Sequence, residues 1–260
     1  MDHDEVLTTF DRQMRREARP DGPGTRVERV GAVVRQVAPE HGWNGVLWSG
    51  LDPAGADADA TVAEQVRYFT SIGREFEWKL YSHDLPGDLA DRLLAAGFLP
   101  EPEEAVLVAG TRELSTDIDL PHGVRLVPVT DAAGIDLVAA VHERVFGSDF
   151  ARFRQQMLDQ LAGRPDTVEI VLAMAGDEPV SAARLEMVPG TGFAGLWGGG
   201  TLPAWRGRGI YRALIAYRVR IAAERGYRYL QVDASGRSSP ILERLGFVRL
   251  GTTTPYVYRP

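Results

Sequence analysis

Eight residues, Trp205 to Arg212 (WRGRGIYR), hold two glycines and three arginines where apolar helical spacing begins. Such a turn suits one kind of chemistry, the holding of an anion. Glycines at 207 and 209 adopt dihedrals closed to other residues and leave backbone N–H groups uncovered. A helix N-terminus adds unpaired donors and partial positive charge, and arginine forks bind phosphate bidentately. Two other glycine-rich phosphate motifs do not fit. A Walker A loop needs a Gly-Lys pair, which the chain lacks. A dinucleotide fingerprint needs a third glycine where Arg212 stands, and it opens its domain instead of following several strands. The bland alternative is a solvated turn. Against it stands the order of elements: strand, proline, RGRG, amphipathic helix, strand, Gly-Phe.

The elements that position the turn are legible around it. Apolar alternation and turn signals place strands near Val168–Ala175, Val180–Met187 and Phe193–Thr201. A helix is expected from Ile210 to about Glu224, with Ile210, Leu214, Tyr217 and Ile221 on one face and Gly226 at its end. A strand follows at Tyr229–Asp233, then a short helix at Ser238–Leu245, capped by Gly246, and a strand near Phe247–Leu250. Upstream, a helix N-capped by Asp131 or Thr130 buries Ile135, Val138, Val141 and Val145, and another spans about Phe150–Leu161. In the first half we expect helices at about 3–17, 61–72 and 85–96, with strands near Arg26–Gln36, Asn44–Ser49, Phe76–Tyr81 and Ala105–Val108. Gly110–Gly123 reads as a linker.

Composition bounds the rest. The chain has 260 residues, 44% hydrophobic and 25% charged, which suffices for a buried core. It has no cysteine, so disulfides, thiolate metal sites and a cysteine nucleophile are excluded. A formal net charge of −7 argues against a general nucleic-acid binder, although the stretch from Arg206 to Arg228 is arginine-rich with a single acid, Glu224. The N-terminus lacks the apolar run of a signal peptide, and no run is long enough to span a bilayer, so a cytoplasmic protein is expected. The five histidines, His3, His41, His83, His122 and His142, have no metal-ligand spacing, and we expect no metal.

The two halves echo each other. DRLLAAGFLPEPEEAVLV in the first corresponds to SPILERLGFVRLGTTTPYVY in the second, both running helix, Gly-Phe, strand. Where the second half has RGRG, the first has LDPAGADADATVAEQ, with Asp52, Asp57 and Asp59 and no arginine. Three carboxylates repel a pyrophosphate.

TLPAWRGRGIYRAL, followed by a strand and ILERLGF, resembles the GNAT superfamily of N-acetyltransferases, whose signature is Arg/Gln-x-x-Gly-x-Gly/Ala. The resemblance covers about residues 123–255 and implies an α/β fold of two GNAT-like domains, each a mixed, mostly antiparallel sheet flanked by helices. It divides the chain into a degenerate domain at 1–110, a linker at 111–122 and an acetyl-CoA-binding domain at 123–260. It implies acetyl-CoA as acyl donor, with Arg206, Gly207, Arg208, Gly209, Ile210, Tyr211 and Arg212 on the pyrophosphate. Thr201, Leu202 and Pro203 would lie along the pantetheine, and Ser235 and Ser239 would complete the cofactor site. Tyr211 departs from the signature's final Gly/Ala. Leu242 stands where the family often has a tyrosine acid, and Ser235 where it has an asparagine.

The implied reaction is transfer of acetyl to a primary amine of a small molecule by direct attack on the thioester. Gly198-Gly199-Gly200 favours a bulge that turns a backbone N–H toward the developing oxyanion. Glu186 is the chosen base, with Asp149 and Glu143 as rivals, and Tyr256 could replace the missing acid. The alternatives are a non-catalytic acyl-CoA-binding or regulatory module, and a peptide or protein acetyltransferase. Homo-oligomerisation is left open.

Overall fold

A computed structural model describes residues 2–147 and 151–260. It forms two compact units, Met1–Leu107 with Asp233–Pro260, and Val108–Val232. In chain order the first half contains α1 (His3–Phe10), β1 (Arg26–Val30), β2 (Val33–Val37), β3 (Gly45–Ser49), α2 (Ala58–Ser71), β4 (Phe76–Tyr81), α3 (Leu89–Ala95), β5 (Leu99–Pro100) and β6 (Glu104–Gly110). The second contains β7 (Val124–Pro128), α4 (Ala132–Phe146), α5 (Ala151–Gly163), β8 (Val168–Ala175), β9 (Glu178–Met187), β10 (Phe193–Thr201), α6 (Ile210–Glu224), β11 (Tyr229–Ala234), α7 (Ser239–Arg244) and β12 (Val248–Tyr258).

In the first unit the strands run β1-β2-β3-β4-β12-β6, with β5 on β12. The stretch expected as strand near Arg26–Gln36 is a hairpin, because Gly31 at φ 56° turns the chain between β1 and β2. The core gathers Phe69, Phe76, Trp78, Leu93 and Phe98, with Phe69 stacked on Phe76 at 4.2 Å. Parallel pairing of β3 with β4 is confined to Gly45/Glu77 and Val46/Trp78. Beyond it the guanidinium of Arg15, from the π turn Asp11–Arg16 that continues α1, bridges the two sides. Its Nε donates to the Leu47 carbonyl at 3.1 Å, and Nη2 to both oxygens of Asp84 at 2.7 and 2.6 Å. Nη1 reaches Asp11 at 2.7 Å, and the charge sits 3.9 Å from the Tyr81 ring centroid. Arg15 is 2% exposed, so the opening between these strands is filled by side chains of the chain itself.

The closing segment belongs to this first unit, whereas the sequence reading placed 123–260 in one domain. β12 pairs antiparallel with β4 from Thr253/Tyr81 to Tyr258/Phe76. It runs through TTTPYVY as one strand of 11 residues, past the end expected near Leu250. Pro255 reads as a strand breaker, and only the long-range pairing shows otherwise.

The second unit is ordered β11-β10-β9-β8-β7. β7 to β10 pair antiparallel, and β10 pairs parallel with β11. Alternation along β8 and β9 fills both faces. Ile170, Leu172 and Ala182 pack with Ile135, Val138, Val141 and Met157 of α4 and α5. Val171, Ala173 and Ala183 pack with Ile210, Leu214 and Tyr217 of α6. Each large side chain so buried contributes roughly 1.5–3 kcal/mol. α4 starts where Asp131 accepts the Gly134 N–H at 2.8 Å and ends at Gly147 with φ 74°. Phe150, expected to begin the next helix, lies outside the described residues.

Candidate functional site

β10 ends at Thr201, and the chain passes through a tight turn at Pro203–Trp205 into RGRG. Gly207 has φ 72° and Gly209 φ 85°, so both glycines occupy the left-handed region the sequence pattern called for. Gly209 is the N-cap of α6, with no capping side chain. The first N–H to close into the helix is that of Ala213, which donates to the Gly209 carbonyl at 3.0 Å. Six consecutive N–H groups, 207 to 212, therefore have no protein acceptor among the described residues. A Cβ on Gly207 would meet nothing within 4 Å, so the face of the turn is open. The cleft it bounds has a volume of about 340 Å³ and is lined by Gly207, Arg208, Gly209, Arg212 and Ala213 with Asp117 and Asp119.

The three arginines divide their work. Arg206 donates Nε to the Thr201 carbonyl at 3.0 Å and so ties the turn to the end of β10. Arg208 lies 4.8 Å from the Trp205 ring centroid and, like Arg212, faces the cleft. Tyr211 turns its ring under β10 and Ile210 is in the core, so neither side chain is in the cleft lining. Asp117 and Asp119 come from the segment read as linker; nothing in their local sequence placed them beside a basic turn.

Pairing of β10 with β11 stops at Gly195/Gln231, leaving Leu196–Thr201 to continue without that neighbour. On its other edge β10 shifts register against β9 between Trp197 and Gly200, the irregularity expected from three successive glycines. Gly198 has φ 58°, and its carbonyl accepts from His142 Nε2 at 2.8 Å. Burial pushes the His142 imidazole down to about 4, against the opposing effect of this bond, so the ring is neutral and carries its proton on Nε2. Because a trans peptide sets C=O and N–H antiparallel, anchoring that carbonyl directs the Gly199 N–H the opposite way. His142 follows the apolar stripe of α4 by one turn from Val138, which is the signal by which a structural role could have been read.

Glu186 lies on β9 opposite Gly195, and its carboxylate is 2.7 Å from Arg184 Nε, two residues back on the same face. Arg184 in turn lies 5.2 Å from the Phe153 ring centroid. Glu143 is exposed on α4, and Asp149 lies outside the described residues. Tyr256 belongs to the first unit, where it is buried with Trp78 and Phe98 in the core. Ser235 and Ser239 are also in that unit. Ser239 is buried, with its hydroxyl shared between Glu243 at 3.1 Å and Arg249 at 3.1 Å, and Ser235 lies 3.3 Å from the Ser238 hydroxyl. The residue sequence reasoning missed is Arg218. It stands among the apolar positions of α6, is 1% exposed, and approaches the bulge.

The open glycine turn at the start of α6 and the bulged strand before it lie within a stretch that a family model matches. Residues 137–247 fit the model of the acetyltransferase (GNAT) family. Those residues belong to that family. That match supports an acyltransferase, and the family's acyl donor is acetyl-CoA. No curated protein matches the chain in sequence. Among solved structures, a GCN5-related N-acetyltransferase from Kribbella flavida is similar over 99% of this chain and 94% of its own, at 20% identity and TM-score 0.69. A tandem GNAT protein from the clavulanic acid biosynthesis pathway is similar over 98% of this chain and 95% of its own, at 12% identity and TM-score 0.63. A GCN5-related N-acetyltransferase from Sphaerobacter thermophilus covers 99% and 86%, at 18% identity and TM-score 0.57. At these identities the likeness is one of fold, and the GNAT fold extends over nearly the whole chain. Among the described residues no helix is long and apolar enough to cross a membrane, and no group of His, Asp or Glu could hold a metal ion.

Proposed function

We propose that this protein transfers the acetyl group of acetyl-CoA to a primary amine of a small molecule by direct attack on the thioester. The observation that carries the reading is the run of unmatched N–H groups at 207 to 212 on an open, doubly left-handed glycine turn. Those groups fit a pyrophosphate: six successive donors are unmatched, no side chain covers Gly207 or Gly209, and Arg208 and Arg212 supply charge. Thr201, Leu202 and Pro203, which lie in sequence between the bulge and the turn, are the proposed pantetheine contacts.

Acetyl-CoA supplies an activated acyl group as a thioester. The amine nitrogen bonds to the carbonyl carbon, the carbon–sulfur bond breaks, and one amine proton must leave. Glu186, oriented by Arg184, is the proposed proton acceptor. The Gly199 N–H, aimed by the His142 anchor, is the proposed donor to the carbonyl oxygen as charge builds on it. The departing thiolate has a thiol pKa near 8.5 on the cysteine scale, so water can return its proton. That removes the need for a tyrosine acid and accommodates Leu242 and a Tyr256 packed in the first unit's core. In that unit Arg15 fills the opening between β3 and β4, which favours a supporting role for it.

Calorimetric titration of acetyl-CoA, followed by a panel of primary amines, tests the reading. The chain has no cysteine, so thiol release can be followed with a thiol reagent free of protein background. One binding site per chain and amine-dependent thiol release are expected. Binding without turnover across the panel would favour the non-catalytic module, and absence of binding would reduce RGRG to a solvated turn.

A further inference from the structure

α6 carries a buried cation that the transfer reaction as described does not use. Arg218 Nε donates to the Leu214 carbonyl of its own helix at 3.0 Å, and Nη1 to the Arg184 carbonyl of β9 at 3.0 Å. Of the five guanidinium N–H groups, the remainder have no acceptor among the described residues, and no carboxylate pairs with the charge. Glu186 of β9 is engaged by Arg184, whose own positive charge adds to that of Arg218. Burial pushes the Arg218 guanidinium down to about 10, which still leaves it protonated at neutral pH. A buried, unpaired charge is costly to keep and is retained where something compensates it.

The free edge of the guanidinium faces the bulge. Nη2 is 3.9 Å from the point a Cβ on Gly199 would occupy, and the Tyr211 ring is 3.0 Å from the same point. Tyr211 and Arg218 are two turns apart on one helix face and converge on Gly199, which is itself exposed. A side chain at 199 would fill this notch, and glycine keeps it open. The notch is not a second phosphate contact. Arg218 lies eight residues into α6, about 12 Å of rise from the first turn that holds the unmatched N–H groups. It sits under the bulge, where the acyl group and the amine must meet.

We propose that Arg218 recognises a carboxylate carried by one of the two reactants at the bulge of β10, making an anionic small molecule a true substrate of this site. The inference rests on the reading of β10 and α6 as the acyl-transfer cleft. Two sources share the chemistry: an acyl group ending in a carboxylate, or an amine acceptor bearing one. Planar, bidentate recognition of a carboxylate is what a guanidinium with a free edge does best.

The test has two arms. In the donor arm, acetyl-CoA, malonyl-CoA and succinyl-CoA are titrated into the wild type and Arg218→Met by calorimetry. In the acceptor arm, kcat/KM with acetyl-CoA is compared for amine pairs differing by one carboxylate, lysine with cadaverine and phenylalanine with phenethylamine. At least a ten-fold preference for the anionic member is expected in one arm, and the arm identifies its source. Arg218→Met should abolish that preference while acetyl-CoA affinity stays within two-fold of wild type. Should Arg218→Met fail to fold by circular dichroism, Arg218→Lys takes its place, and a preference reduced at least three-fold is expected. No carboxylate preference in either arm, whether or not an amine turns over, overturns the proposal, as does a preference that survives in the variants. Loss of acetyl-CoA binding by the wild type itself is a different result and overturns the reading of the cleft.

Discussion

The reading of the RGRG turn can be tested with one methyl group. In Gly207→Ala the new Cβ meets nothing within 4 Å, so no clash arises and the protein should fold. The residue sits at φ 72°, where an L-residue costs roughly 1–2 kcal/mol. That cost alone would lower stability without touching a ligand. Gly176, in the turn between β8 and β9, provides the matched control. It has φ 60° and likewise nothing within 4 Å of its Cβ, but it is remote in sequence from the cleft and not among its lining. Urea unfolding should show both variants destabilised by about 1–2 kcal/mol. Acetyl-CoA affinity should separate them. The methyl at 207 stands on the face a pyrophosphate must approach, and losing even one charge-assisted hydrogen bond there costs roughly 1.5–3 kcal/mol. The Kd should therefore rise at least ten-fold in Gly207→Ala and stay within two-fold in Gly176→Ala. Equal affinities in the two variants, with equal losses of stability, would refute the claim that the turn holds the phosphates.

Three further outcomes follow from the same geometry. Arg208→Ala and Arg212→Ala should each weaken acetyl-CoA binding about five-fold, with a flatter salt dependence by calorimetry, because both face the cleft with no ion-pair partner among the described residues. Asp117→Asn with Asp119→Asn should tighten binding about two-fold at low salt and leave it unchanged at high salt, as exposed charges near an anion require. His142, near 6.5 when unfolded and about 4 in the native protein, takes its proton later than the unfolded chain does. Its contribution is whole above pH 6.5 and is lost as pH falls toward 4. Urea unfolding should lose about 2 kcal/mol between pH 7 and 5 through this group, and His142→Gln should lack that increment.

Much of the second unit was legible because its boundaries carry turn chemistry. β10 and α6 run over the expected residues, Phe193–Thr201 and Ile210–Glu224, since glycines at 207, 209 and 226 mark their ends. The bulge was legible for the same reason: three glycines in a strand can pack side chains on neither face. What local pattern could not supply was pairing at long range. β12 joins β4 across more than 170 residues, and a proline in its middle disguises it. Arg218 shows the converse. Helical spacing alone puts it on the apolar stripe of α6, a reading not drawn from the sequence, but that its charge has no carboxylate partner among the described residues is a property of the packed structure. Glu186 and Arg184 share a face of β9 by simple alternation, so their ion pair was available to the strand periodicity and was not drawn from it.

In each unit a parallel strand pair stops after a few residues, and the opening beyond it is treated differently. In the second unit the pair is β10 with β11, and glycines keep the backbone beyond it bare. In the first it is β3 with β4, and Arg15 occupies the space with Asp11 and Asp84 around it. A cluster so placed must cost stability when broken by halves. Arg15→Met removes the cation and leaves Asp84, 5% exposed, without its partner, so urea unfolding should show a loss of about 3–5 kcal/mol. Removing both charges, in Arg15→Met with Asp84→Leu, deletes the uncompensated carboxylate and should recover most of that loss. If the cluster is a plug and not a remnant ligand site, acetyl-CoA stoichiometry should remain at one per chain in the double variant, because Asp52 and Asp57 before α2 and Asp59 in its first turn still stand where a pyrophosphate would need donors. A second site appearing in that variant would mean that Arg15, and not the acidic turn, is what denies the first unit its ligand.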